Sequence, residues 1–154
     1  MKAALPIRNS IVTLAFVFLA TASALADGLR TEDVTVVTKS GRHVFQSEIA
    51  DTATTRSMGL MFRTSLAPDR AMLFDFGSER PVSMWMKNTD VALDMIFIAK
   101  SGTVTAIAEN TVPQSTDVIS PPGKAISVLE TAAGTAKRIG LVIGDKVEHR
   151  IFGK

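Results

Sequence analysis

The stretch VSMWMKNTDVALDMIFIAKSGTVTAIAE, Val82 to Glu109, decides the fold. LDMIFI (Leu93–Ile98) is apolar at nearly every position, as in a strand covered on both faces. Ser101-Gly102 is a hairpin signal leading into TVTAIAE. Upstream, VSMWM reads as a further strand; its period of two puts Met84 and Met86 on one face, with Trp85 and Lys87 on the other. Between the two apolar runs stands the polar group Lys87-Asn88-Thr89-Asp90, whose Asn, Thr and Asp favour a turn. A sheet with strands buried on both faces must curl on itself or be covered by helices.

Working outward, DVTVVT (Asp33–Thr38) and HVFQSEIA (His43–Ala50) alternate around a KSGR turn. AMLFDF is a compact strand, GSERP a turn cluster, AISVLET a strand and KVEHRIF the last strand. Residues 110–123 form a loop with three prolines. Short helices are expected near residues 52–61, capped by Asp51 or Thr52, and near residues 132–140. The prediction is mainly β (α+β): a curled, barrel-like antiparallel sheet of eight or so strands with two short helices. No internal repeat divides it.

At the N-terminus, Lys2 and Arg8 precede an apolar run, Ile11–Ala20, followed by the small residues of TASALA. This is the pattern of an export signal, with cleavage expected after Ala26. The run is too short to span a bilayer, which takes about 20 apolar residues, and no second such stretch follows. The expectation is therefore one exported domain, residues 27–154, in the periplasm or secreted, without stable membrane insertion. The whole chain has 17 Lys+Arg and 15 Asp+Glu. Two of the basic residues and none of the acidic ones lie in residues 1–26, so the remainder is formally neutral. Its basic residues are scattered, which argues against a nucleic-acid footprint. There is no cysteine, so disulfides, thiol nucleophiles and thiolate metal sites are excluded.

The common catalytic and phosphate-binding motifs are missing, and the two histidines, His43 and His149, read as surface residues on outer strands. Lys87, Asn88, Thr89 and Asp94, bordered by Arg56 and Arg63 and with Trp85 and Glu130 also assigned to ligand binding, form the candidate site: donors and an acceptor converging on a small polar ligand or a protein segment, with no catalytic residue and no cofactor assigned. The competing reading is a purely structural turn in which Asp94 accepts backbone N–H bonds and pairs with Lys87. Two alternatives belong to other classes. One is a hydrolase- or lyase-like site with Asp94 or Glu130 as base and Lys87 or Arg63 steadying an anion. The other is a Cu(I) site using Met58, Met61, Met84 and Met86, with Trp85 covering the ion; the opposing reading is that these methionines fill core gaps.

The blocks RSMGLMFRTSL, AMLFDF, WMKNTDVALDMIFI, VLETAAG and GLVIGDKV occur in that order. Together they resemble the bacterial and archaeal family catalogued as domain of unknown function 192, over about residues 34–151. The resemblance implies a small β-rich domain, frequently exported, without an established activity. Its characteristic residues fall here on Arg56, Gly59, Met61, Arg63, Trp85 to Thr89, Asp94 and Glu130, among others. The chain departs from the pattern at Met84, where an aromatic is common, and at Ala92, where proline is common. Residues 117–122 also lack the aromatic often found in that loop.

Overall fold

A computed structural model describes residues 28–153; the expected signal segment lies outside the described residues. Strands β1 (Thr31–Thr38) and β2 (Gly41–Ala50) form the first hairpin, paired from Thr38↔Gly41 to Thr31↔Glu48. Alternation works here as expected, with Val34 and Val36 buried between half-buried or exposed neighbours.

The chain then enters helix α1 (Ala53–Met58), which Thr52 caps by accepting the Thr55 N–H at 3.1 Å while Thr55 Oγ1 accepts the Thr52 N–H. The helix is shorter than expected because Gly59 ends it in a positive-φ conformation. Strand β3 (Arg70–Arg80) follows and pairs parallel to β2, from Gln46↔Arg70 to Ala50↔Phe74. This corrects the wholly antiparallel expectation. Two parallel neighbours require a crossover, and α1 with its loop is that crossover. GSERP is likewise not a turn; β3 runs through it to Arg80, with its register against the next strand broken between Asp75 and Arg80.

Strands β4 (Leu93–Ile98) and β5 (Val104–Ala108) form the second hairpin. Strand β6 (Ala125–Ala132) lies between β3 and β4, α2 (Thr135–Ile139) follows, and β7 (Lys146–Glu148) pairs with β1. The sheet order is β5-β4-β6-β3-β2-β1-β7. Its two edges meet at one end: Thr103 bridges Lys146, Val104 N donates to Asp145 O at 2.9 Å, and Val147 N donates to Gly102 O at 2.8 Å. Gly102 makes this closure possible, since a Cβ there would lie 2.6 Å from Val147 O and its φ is +76°. The curled, barrel-like expectation holds. VSMWM is not a strand: Met84 makes a single bridge to Ile119, in a loop whose Pro113, Pro121 and Pro122 have no N–H to extend a ladder.

All seven strands contribute to an inner core, which includes Val34, Phe45, Leu73, Ile96, Val104, Leu129 and Val147, and α2 adds Ala136 and Ile139. A second core on the outer face joins Met72, Phe74, Leu93, Met95, Phe97 and Val128 to Leu60, Val82 and Met86. Strands β4 and β6 are therefore buried on both faces, which explains their continuous apolar sequence.

Candidate functional site

The outer core is roofed by α1 and the segment 83–89, and between them lies a pocket of about 180 Å³. Each wall is fixed by backbone bonding. Phe62 N donates to Asn88 O at 2.8 Å, tying the end of the α1 segment to the polar block. Both residues sit at positive φ, +64° and +57°. Asparagine tolerates that region; a phenylalanine held there is an outlier, and its ring is exposed. Thr89 O accepts the Gln114 N–H at 3.0 Å, so the proline loop holds the other side.

On the α1 side, Arg56 Nη1 donates to Asp51 O at 2.6 Å and to Asp75 O at 2.8 Å, and its guanidinium lies 5.9 Å from the Phe76 ring centroid. Arg80 approaches the same ring at 5.0 Å. Gly59 is confined, since a Cβ would stand 3.1 Å from Phe74 Cζ. On the opposite wall Trp85 is half-exposed and Lys87 Nζ lies 5.5 Å from its ring. Met84 lines the pocket beside Trp85 and Lys87, so the expected division, Met84 with Met86 on one face and Trp85 with Lys87 on the other, is not kept. Met86 turns inward to the core, where its sulfur accepts from Thr111 Oγ1 at 3.2 Å.

Glu130 supplies the floor. It is 4% exposed, lies across the strands from Met72 and Met95, and has no side-chain hydrogen bond among the described residues. Burial alone pushes its carboxyl up to about 8, so it is a neutral acid at pH 7.

Of the eight residues expected at the site, Arg56, Trp85, Lys87, Thr89 and Glu130 line this pocket. Arg63, Asn88 and Asp94 do not. Arg63 pairs with Glu48 at 2.6 Å on the surface, and Asn88 serves by its backbone and by a 3.9 Å contact from Nδ2 to Met61 sulfur. Asp94 is fully buried on the inner face, where Oδ1 accepts the Asn110 N–H and Oδ2 the Ala136 N–H, each at 2.8 Å. The Lys87–Asp94 pair is therefore not formed. The reason is the strand period: Asp94 faces the same side as Ile96 and Ile98, whereas Glu130, opposite Met95, faces the other. The same fact removes the Asp94–Glu130 acid–base pair, because the sheet separates the two carboxyls. Half of the structural reading thus stands, since Asp94 does accept backbone N–H bonds.

Phe76 was not among the expected site residues, although the period of two in AMLFDF aligns it with Met72 and Phe74. Among the described residues no three His, Cys, Asp or Glu side chains are grouped to hold a metal ion. Met58, Met61 and Met84 do line the pocket, and Met86 does not. His149 Nε2 meets Glu32 at 2.8 Å and its ring is buried, correcting its reading as a surface residue, while His43 bonds Ser40. No helix among the described residues is long and apolar enough to cross a membrane.

The fold and pocket define a small, curled, mainly β domain with a ligand-sized recess on the outer face of its sheet. The family model for domain of unknown function 192, described as "Uncharacterized ACR, COG1430", matches residues 35–149, and the chain belongs to that family. Its structure is similar to that of a Sinorhizobium meliloti 1021 protein described as a candidate transcription regulator, with 48% identity and a TM-score of 0.76 over 79% of this chain and 95% of that one. It is also similar to a protein of unknown function from Novosphingobium aromaticivorans DSM 12444, with 41% identity and a TM-score of 0.78 over 81% of this chain and 89% of that one. No curated protein matches the chain.

Proposed function

We propose that the protein is a non-catalytic binding module whose small polar ligand enters the pocket between α1 and residues 83–89. The observation that carries this reading is Glu130: a buried acid without a partner, placed at the floor of a recess that two separate segments wall in. Burying such a group unpaired costs stability, and a ligand would satisfy it. Trp85, Phe76 and Met58 give the recess apolar walls, and Arg56 and Lys87 give it polar ones, the mixture that fixes and orients small molecules. A shallower depression lined by Ala53, Thr54 and Phe62 adjoins it and offers room for an apolar tail or for a protein segment. The export pattern of residues 1–26 supports a periplasmic or secreted location.

The test is a thermal-shift screen of sugars, organic acids, amines and nucleotides. A ligand raises the melting temperature by linkage. That rise should vanish in Trp85→Ala and persist in Arg63→Ala, which lies outside the pocket. A screen without hits, or a rise that survives Trp85→Ala, would sink the proposal.

A second reading rests on the three methionines, Met58, Met61 and Met84, that share the pocket with Trp85. Thioethers are soft ligands suited to Cu(I). Competition against a chromophoric Cu(I) chelator under reducing conditions tests it: the protein should withdraw the ion, and Met61→Leu with Met84→Leu should not. Failure of the parent protein to compete removes this reading.

A further inference from the structure

The charges around the pocket narrow what it binds. Arg30, Arg42, Arg63 and Arg150 are each held to a carboxylate. Arg56, Arg80 and Lys87 have no carboxylate within ion-pair distance among the described residues; each lies against an aromatic ring, and Arg56 also donates to two neutral backbone carbonyls. A ring face attracts a cation without neutralising it, so the pocket walls carry uncompensated positive charge. At the floor of the recess is Glu130, whose carboxyl has neither a hydrogen bond nor a counter-charge among the described residues.

An anion lying between would complete both sides. It would balance the cations and accept the proton-bearing oxygen of Glu130 as a hydrogen-bond donor. The walls of Trp85, Phe76 and methionine suit an organic body better than an inorganic ion. A single acid donor facing two separated cations suits a carboxylate better than a phosphate with its three strong acceptor oxygens. We infer that the pocket takes a small organic carboxylate, its anionic end above the carboxyl of Glu130 and between Arg56 on one wall and Lys87 on the other. This assignment rests on the reading of the recess as a binding site.

Proton linkage follows. The charged groups that share the recess with Glu130 are Arg56 from α1 and Lys87 from the 83–89 segment; Arg80, at the end of β3, lies against the Phe76 ring outside the pocket lining. Strands β3 and β4 present Met72, Phe74 and Met95, none of them titratable. Once Glu130 loses its proton, near pH 8, it repels the ligand it held. Affinity should then fall about tenfold per pH unit.

The experiment is calorimetric titration of the purified protein with two matched pairs, glucuronate against glucose and benzoate against benzamide. At least one carboxylate should bind tenfold or more tightly than its neutral partner at pH 7. Its affinity should be level from pH 6 to pH 7 and fall above pH 8. Glu130→Gln should abolish the fall at high pH, because its amide has no proton to lose there. Lys87→Met, at an exposed position, should weaken binding tenfold or more. Neutral partners binding as tightly as the acids, or an affinity that does not fall above pH 8, would overturn the carboxylate assignment while leaving the binding pocket in place. Silence of all four compounds would overturn it too, and the broader thermal-shift screen then decides whether the pocket reading falls with it.

Discussion

Replacing Glu130 by glutamine should stabilise the protein, against the usual outcome for a buried position. The folded chain holds the Glu130 proton up to about pH 8, while the unfolded chain releases it at the ordinary carboxyl value of 4.5. Between those values the native state binds more protons than the unfolded state, so stability falls as pH rises. At pH 7 the gap from 4.5 is two and a half pH units, which at about 1.36 kcal/mol per unit amounts to roughly 3 kcal/mol of destabilisation. Glutamine removes the titration and retains nearly the same shape. Its amide brings one further donor into a site without partners, a cost of about 1 kcal/mol. The net gain at pH 7 is then about 2 kcal/mol.

Urea unfolding of the two proteins at pH 5, 7 and 9 checks this. At pH 5 the gain should vanish, because the unfolded carboxyl is itself partly protonated. It should grow through pH 7 and level off above pH 8. The m-value should not change, since the exposed surface is the same. If Glu130→Gln is less stable than the parent at pH 7, with the same slope between pH 5 and pH 8, then Glu130 is ionised and paired in the native state. That result would refute both the neutral acid and the carboxylate pocket built on it.

Asp94→Asn should cost about 2–3 kcal/mol, because an amide nitrogen would face one of the two buried N–H donors that the carboxylate now accepts; urea unfolding measures it, and a change within 0.5 kcal/mol would contradict the structural role. Glu32, ringed by Arg30, His149 and a bidentate Arg150, is held down at about 2. Its folded value is depressed, so its contribution is complete above pH 4.5 and is lost as pH falls toward 2. With Arg30 and Arg150 half-exposed, solvent screening limits that loss to about 1 kcal/mol. Glu32→Gln should flatten that part of the acid limb in thermal unfolding, and an unchanged limb would show that the cluster contributes nothing.

The strands that bury both faces were legible because their composition leaves no polar side to present: LDMIFI and AISVLE have nowhere to lie except between two cores. The hairpin at Ser101-Gly102 was legible for a local reason, since turn residues act on their own backbone. The parallel pairing of β2 and β3 was not legible. β2 alternates as an antiparallel strand does, β3 buries Ala71 to Phe74 in succession, and neither pattern gives the direction, which the placement of the crossover helix in space sets. VSMWM failed as a strand for a related reason, because a strand needs a partner, and the segment's neighbour is a loop rich in proline.

The site was legible in part: Arg63 is taken by Glu48 and Asn88 by its backbone role, and Asp94 is lost to the strand period. Lys87, Asn88, Thr89 and Asp94 are close in sequence, but the turn at Lys87–Asn88 leads through residues 89–92 into a strand, and from there each step of one residue changes the face. Asp94 lands inside the curl, where its two oxygens join α2 and the Asn110 loop to the sheet. Met95 lands outside, opposite Glu130, beneath the pocket. A carboxylate that organises backbone and an acid that waits for a partner therefore stand back to back across one sheet. Their partners differ: Asp94 receives two N–H donors and stays buried at the junction of three elements, whereas Glu130 receives none among the described residues and borders a recess lined by Arg56 and Lys87. The polar block between the two apolar runs bridges both roles, with Asn88 joining the pocket walls by its backbone and Lys87 presenting its charge to the recess.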